Sequence, residues 1–167
     1  SLARAYLMSL EKFRPMVAPS LGMVSGQFLR RPLDVILHTR NAASNGSVSW
    51  TPSRMEMFTV PEWDNASAQL WMERLTLHEG RHAAQMQMGY RRVFRPFRYI
   101  LGQIVPGAVN VYPGSLLLEG DAVVAETALS KAGRGRDARF LERYMYSLDN
   151  GDTRNYAKWR YGSLYRP

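Results

Sequence analysis

With 167 residues, 46% of them hydrophobic and 22% charged, the chain has the size and composition of one folded domain and too much apolar content for a disordered one. Zero cysteines exclude disulfides and thiolate metal sites, so His, Asp and Glu are the only metal ligands on offer. The net charge of +8, from 22 basic against 14 acidic residues, fits a polyanionic partner, an anionic membrane surface or plain solubility.

No apolar run of about 18 residues marks a transmembrane span. The opening SLARAYLMSLEKFRP lacks the apolar core and cleavage site of a signal peptide, which leaves the compartment open. Residues 2 to 13 read as an amphipathic helix stopped at Arg14-Pro15, because proline disfavours helical geometry in the residue before it. After the connection PMVAPSLGM, the apolar run LDVILH is ambiguous between a buried strand and a short helix. His38 lies in it and reads as a core-edge or surface histidine.

Strand character concentrates just beyond. Asn45-Gly46 marks a turn, Ser47 to Trp50 alternates, Thr51-Pro52 interrupts, and Met55 to Val60 alternates again up to Pro61. Trp63 to Gly89 is then a long helix, with Asp64 or Asn65 as cap and Gly89 as stop. A proline-broken apolar stretch of short helical turns leads to Pro113-Gly114-Ser115, where Ser115 is positioned to cap a helix from Leu116 to about Ala132. Gly133 and Gly135 end that helix, and a further one runs from Asp137 to Leu148. Asp149 to Asp152 reads as a turn, and Thr153 to Tyr161 as a last helical piece. The fold class expected is α+β, mostly helical, in one domain.

Within the long helix, His78, Glu79 and His82 form an HExxH pattern. Histidines at i and i+4 stand one turn apart on one helix face, so both imidazoles can reach a single metal ion, with Glu79 beside it as general base. Catalytic zinc takes three protein ligands and keeps a fourth position for water, so a third ligand is needed. The best candidate is Glu119 in LLLEGDAVVAET, with 36 residues between it and His82. Glu126, seven residues further on the same face, suits a carboxylate that accepts the free ring N–H of a ligand histidine; Asp121 is its rival for that role.

HEGRH followed by LLEGDAVVAE resembles the gluzincin metallopeptidases, and Glu119-Gly120 with Glu126 matches the EGxxxxxE pattern of their aminopeptidase-like branch. The gap between the two motifs is longer here. More closely, LHEGRHAAQ, EGDAVVAETALSKAGRGR and NGSVSWTPSR are similar to the peptidase domain of Bacteroidetes cell-envelope proteins that also carry a TolB-like β-propeller. This likeness spans about residues 41 to 165. It implies a gluzincin fold with a small sheet beside the HExxH helix, Zn2+ as cofactor and a peptide or protein substrate held on an edge strand, either Ser47 to Trp50 or Met55 to Val60. It also implies that the chain is a piece of a larger exported protein of the periplasm or cell envelope, with the propeller elsewhere. Gluzincins stabilise the oxyanion with a tyrosine or histidine after the third ligand. Here Tyr144, Tyr161, Tyr146, Tyr156, Arg134 and Arg136 all lie after Glu119, and the sequence does not choose among them.

Two other functions fit the same residues. One is a zinc-binding domain of this fold that no longer turns over and serves in binding or assembly. The other is a metal-free helical module whose arginines, such as Arg91, Arg92, Arg95 and Arg98 among aromatics, contact an anionic partner. Aromatics interleaved with arginines suit nucleic acid, but the reading preferred is a solvated or ion-paired face with its rings in the core, and no nucleic-acid partner.

Overall fold

A computed structural model describes residues 1–23, 33–50, 52–61, 68–88, 94–102, 104–111, 114–131 and 133–151. Its elements in chain order are α1 (Leu2–Ser20), β1 (Asp34–His38), β2 (Gly46–Trp50), β3 (Ser53–Phe58), α2 (Ala68–Met88), α3 (Arg95–Leu101), α4 (Ile104–Val111), α5 (Ser115–Leu129) and α6 (Ala138–Asp149), with a 3-10 turn at Arg134–Arg136 before α6. The described chain is mostly helical with one small sheet, an α+β organisation.

α2 is the central element. On one side Leu77 and Ala84 pack with Phe13, Val17 and Ala18 of α1; on another, Trp71 and Ala83 pack with Tyr6 of α1 and Met55 and Met57 of β3. Helix α5 lies along the same helix, which brings the second carboxylate-bearing segment beside the first. Five polar residues of α2 are nevertheless buried: Thr76, His78, Glu79, Arg81 and Gln85. Burying polar groups is costly unless each is paired, so His78, Arg81 and Gln85 depend on partners supplied by a neighbouring element.

The sheet has the order β1-β3-β2. β3 runs parallel to β1, with Ile36 opposite Glu56, and antiparallel to β2, with Val48 opposite Met55. Alternation along β3 sends Met55 and Met57 into the core, while Arg54 and Glu56 face outward and pair at 2.8 Å. The ambiguous LDVILH run is therefore a strand over Asp34–His38. His38 sits at the sheet surface, 3.1 Å from Glu56 and stacked on Phe58.

Several helix ends differ from the sequence reading. α1 continues through Pro15 and Pro19 to Ser20. Buried Tyr6, Phe13 and Val17 extend one helical stripe past Pro15, and both prolines lie on the exposed side, so packing outweighs the lost backbone bond. α5 starts at Ser115 and ends at Leu129, and its N-cap is Gly114, at φ 103°, not Ser115. The Gly114 carbonyl accepts from the N–H groups of Leu117 and Leu118 at 3.1 and 3.2 Å. α6 begins as expected, with the Asp137 side chain accepting from the Arg139 N–H at 3.0 Å. The expected ends of the long helix at Asp64, Asn65 and Gly89, and the piece from Thr153 to Tyr161, lie outside the described residues.

Gly133 and Gly135 serve close packing. A side chain on Gly133 would run into the backbone of Thr127, and one on Gly135 would come within 2.8 Å of the Thr127 hydroxyl. Without side chains, the 3-10 turn folds back against α5 and delivers Arg134 to Glu126.

Candidate metal centre

His78 and His82 point from one face of α2 toward Glu119, in the first turns of α5. Their Nε2 atoms are 3.2 Å apart, and Glu119 approaches with one oxygen 3.1 Å from His78 Nε2 and the other 3.4 Å from His82 Nε2. Ligand atoms about 2.0 to 2.1 Å from a tetrahedral centre stand about 3.3 Å from one another. The two imidazole nitrogens stand close to that spacing, and one ligand atom from each of the three residues lies within 4.8 Å of the others, so this group could hold a metal ion. His78 is buried, His82 half-buried and Glu119 exposed, so access is from the Glu119 side.

Each histidine is held by its other nitrogen. His82 Nδ1 lies 2.8 Å from the side-chain oxygen of Gln85. The Gln85 amide donates to the Leu118 carbonyl at 3.0 Å and to Asp121 at 2.6 Å, which leaves its oxygen to accept. His82 therefore carries its proton on Nδ1 and presents a lone pair at Nε2. Asp121 is itself fixed by a two-point bond from Arg81, at 2.7 Å on each oxygen. That bond, opposed by burial and helped by Gln85, holds the Asp121 carboxyl below the usual range.

His78 Nδ1 lies 3.2 Å from Glu126, a fully buried carboxylate. Arg134 clamps the same carboxylate, with Nε at 2.7 Å and its backbone N–H at 3.1 Å from one oxygen. Burial alone would raise the Glu126 carboxyl; the hydrogen bonds from His78 and Arg134 outweigh it, and the net shift is downward. Arg134 Nη2 also comes within 2.7 Å of His78 Nδ1. The two neighbours make opposite demands, since Glu126 accepts from a protonated Nδ1 and Arg134 donates to a bare one. A cation at Nε2 selects the form protonated on Nδ1, with Glu126 as its acceptor.

Glu79 stands beside the cluster and has a different environment. It is 3% exposed, and its Oε2 has no hydrogen-bond partner among the described residues. Burial pushes its carboxyl up to about 7; His78 and Arg134 pull the other way, and Glu119 and Glu126 add to the rise. The first residue of β2 explains how the sheet comes so close. A β-carbon on Gly46 would lie 2.5 Å from Glu79 Oε1, so only glycine lets the strand seat against the carboxylate.

These groups line one cavity of about 200 Å³, walled by Ser44, Asn45 and Gly46 on the sheet side and by Trp71 and Arg74 on α2. Arg134 reaches it, engaged with Glu126 and His78. Tyr144 is exposed on α6 and does not line it. Tyr161 and Tyr156 lie outside the described residues. The sequence reading overlooked Gln85 and Arg81, although a signal existed: Gln85 is i+3 from His82 and i+4 from Arg81, on the face turned to α5. Comparison with protein families, with curated proteins and with solved structures yields no match.

Proposed function

We propose that this protein is a zinc-dependent peptidase of gluzincin type, hydrolysing peptide bonds with water and using Glu79 as general base. The observation that carries this reading is the convergence of His78, His82 and Glu119 beside a buried, unpartnered carboxylate oxygen of Glu79 in one open cavity. Two imidazoles and one carboxylate are a ligand set suited to zinc, and the cavity opens onto the cluster. Zinc held there supplies a Lewis acid and lowers the pKa of the water it binds to about 7.

The remaining work falls to the chain's own residues. Glu79, whose carboxyl burial raises while the site holds no ion, takes up a proton and returns it to the leaving amine. Glu126 and Gln85 hold the two imidazoles with their protons on Nδ1. Arg134, tied to Glu126 and His78, is a positioning residue in this reading. β2 is the edge strand that borders the site through Gly46, whereas β3 is paired on both sides. Of the two segments considered for peptide binding, the one beginning at Gly46 therefore offers an open backbone edge to an extended substrate. The resemblance adds an exported, envelope-associated setting.

Metal analysis of protein purified without chelators tests the site. One zinc per wild-type chain is expected, lost or greatly weakened in Glu119→Ala; a metal-free wild type that also ignores added zinc refutes the assignment. In Glu126→Gln the fold is expected to persist while zinc affinity falls by roughly 10- to 100-fold, the usual cost of losing a histidine's hydrogen-bond acceptor. A competition titration with a chelator of known affinity measures it, and unchanged affinity would strip Glu126 of that role.

A further inference from the structure

α3 buries none of its seven residues, although most of them are large and apolar. Phe97, Tyr99, Ile100 and Leu101 are 57, 94, 82 and 50% exposed, and Ile104, which opens α4, is 70% exposed. Single exposed apolar side chains are ordinary; five within the eight positions from Phe97 to Ile104 mark an interaction surface. At about 100° per residue, Phe97, Tyr99, Ile100 and Leu101 cover an arc of about 200° around the helix axis, and Arg95 and Arg98 fall in the sector they leave. An apolar face that wide, with the basic residues gathered on the remaining side, suits a helix lying in a membrane interface better than the narrow stripe a groove on a protein partner receives.

Charge identifies the medium. From Ala83 to Leu118 the sequence has four arginines and no acidic residue, and two of the four, Arg95 and Arg98, lie on α3 itself. An acid-free basic stretch among exposed aromatic and branched side chains complements an anionic lipid surface, with apolar tips at the headgroup boundary and guanidinium groups at the phosphates. No helix among the described residues is long and apolar enough to cross a membrane, so the contact is superficial. α6 also exposes apolar side chains, but Glu142 lies among its arginines and its charge has no single sign.

We propose that α3 and the start of α4 form a docking surface for an anionic lipid membrane. The test is co-sedimentation of the full chain with vesicles of phosphatidylcholine alone and of phosphatidylcholine with an equal part of phosphatidylglycerol. Binding to the anionic vesicles is expected, weakening as salt rises. Tyr99→Ser with Ile100→Ser should weaken it at least about tenfold, and Arg95→Gln or Arg98→Gln about fivefold each. Circular dichroism verifies that these surface variants stay folded. A chelator should leave vesicle binding unchanged, so this result stands or falls separately from the peptidase reading. Absence of binding to anionic vesicles at low salt overturns the proposal, as does equal binding to both lipids that the arginine variants do not alter. Loss of vesicle binding on Tyr146→Ser in α6, with the α3 variants unaffected, also overturns it. So does a chain that ignores vesicles but dimerises through Tyr99 and Ile100, which would give the surface to a second copy.

Discussion

Glu79→Gln is expected to retain zinc and to lower peptide hydrolysis by at least about 100-fold, the low end of what a positioned general base contributes. The amide preserves the shape of a side chain packed against Gly46 and removes only the ability to take up a proton. Glu79 is not among the three convergent ligands, so metal content should equal that of the wild type. Gly46→Ala should give the same phenotype by a different route, because its methyl group claims the space now held by Glu79 Oε1. Turnover of a peptide substrate, measured beside zinc stoichiometry, decides the matter. Undiminished metal-dependent cleavage in Glu79→Gln would assign water activation to another group.

The second large effect is on stability. Asp121→Ala is expected to destabilise the fold by about 3 kcal/mol, because it strips the counterion from a guanidinium whose side chain is only 7% exposed. Arg81 would keep just the Ser20 hydroxyl at 2.6 Å and the Val17 carbonyl at 3.4 Å, both on α1. The figure is set at the low end of the range for buried pairs because the Asp121 side chain is 37% exposed and water can reach the vacated place. For the same reason Arg81→Met should cost less, since the carboxylate it leaves behind can be hydrated. Urea denaturation with unchanged slope and a shifted midpoint is the measurement. Equal losses in the two variants would contradict this asymmetry.

How far the sequence foretold this arrangement depends on the range of the interaction. Local spacing was enough to bring His78 and His82 to one helix face and to place Glu119 and Glu126 on one later helix. Alternation placed two strands close to Gly46–Trp50 and Ser53–Phe58. Pairing was not legible, because the parallel match of β1 with β3 joins segments that nothing in their own patterns relates. Arg14-Pro15 was misread as a helix stop, since the stripe through Tyr6, Phe13 and Val17 draws its strength from α2, which sequence periodicity does not register. Asp121 and Glu126 were weighed as rivals for one histidine. Each in fact supports a different one, Glu126 directly and Asp121 through Gln85, and that division is visible only once α5 lies against α2.

The three convergent donors come from two helices, with His78 and His82 on α2 and Glu119 on α5, and the long connection between them carries α3 and α4. An ion seated among them would cross-link the two helices, and its affinity would also be a conformational free energy. Because the unfolded chain does not hold the three donors together, the folded form gains RT ln(1 + [L]/Kd), about 2.7 kcal/mol when free metal stands at 100 times Kd. The melting temperature should then climb with the logarithm of metal activity, and removing the ion should loosen the α2–α5 junction first. The reach of that slackening extends to α1, because Arg81 joins Asp121 at that junction to Ser20.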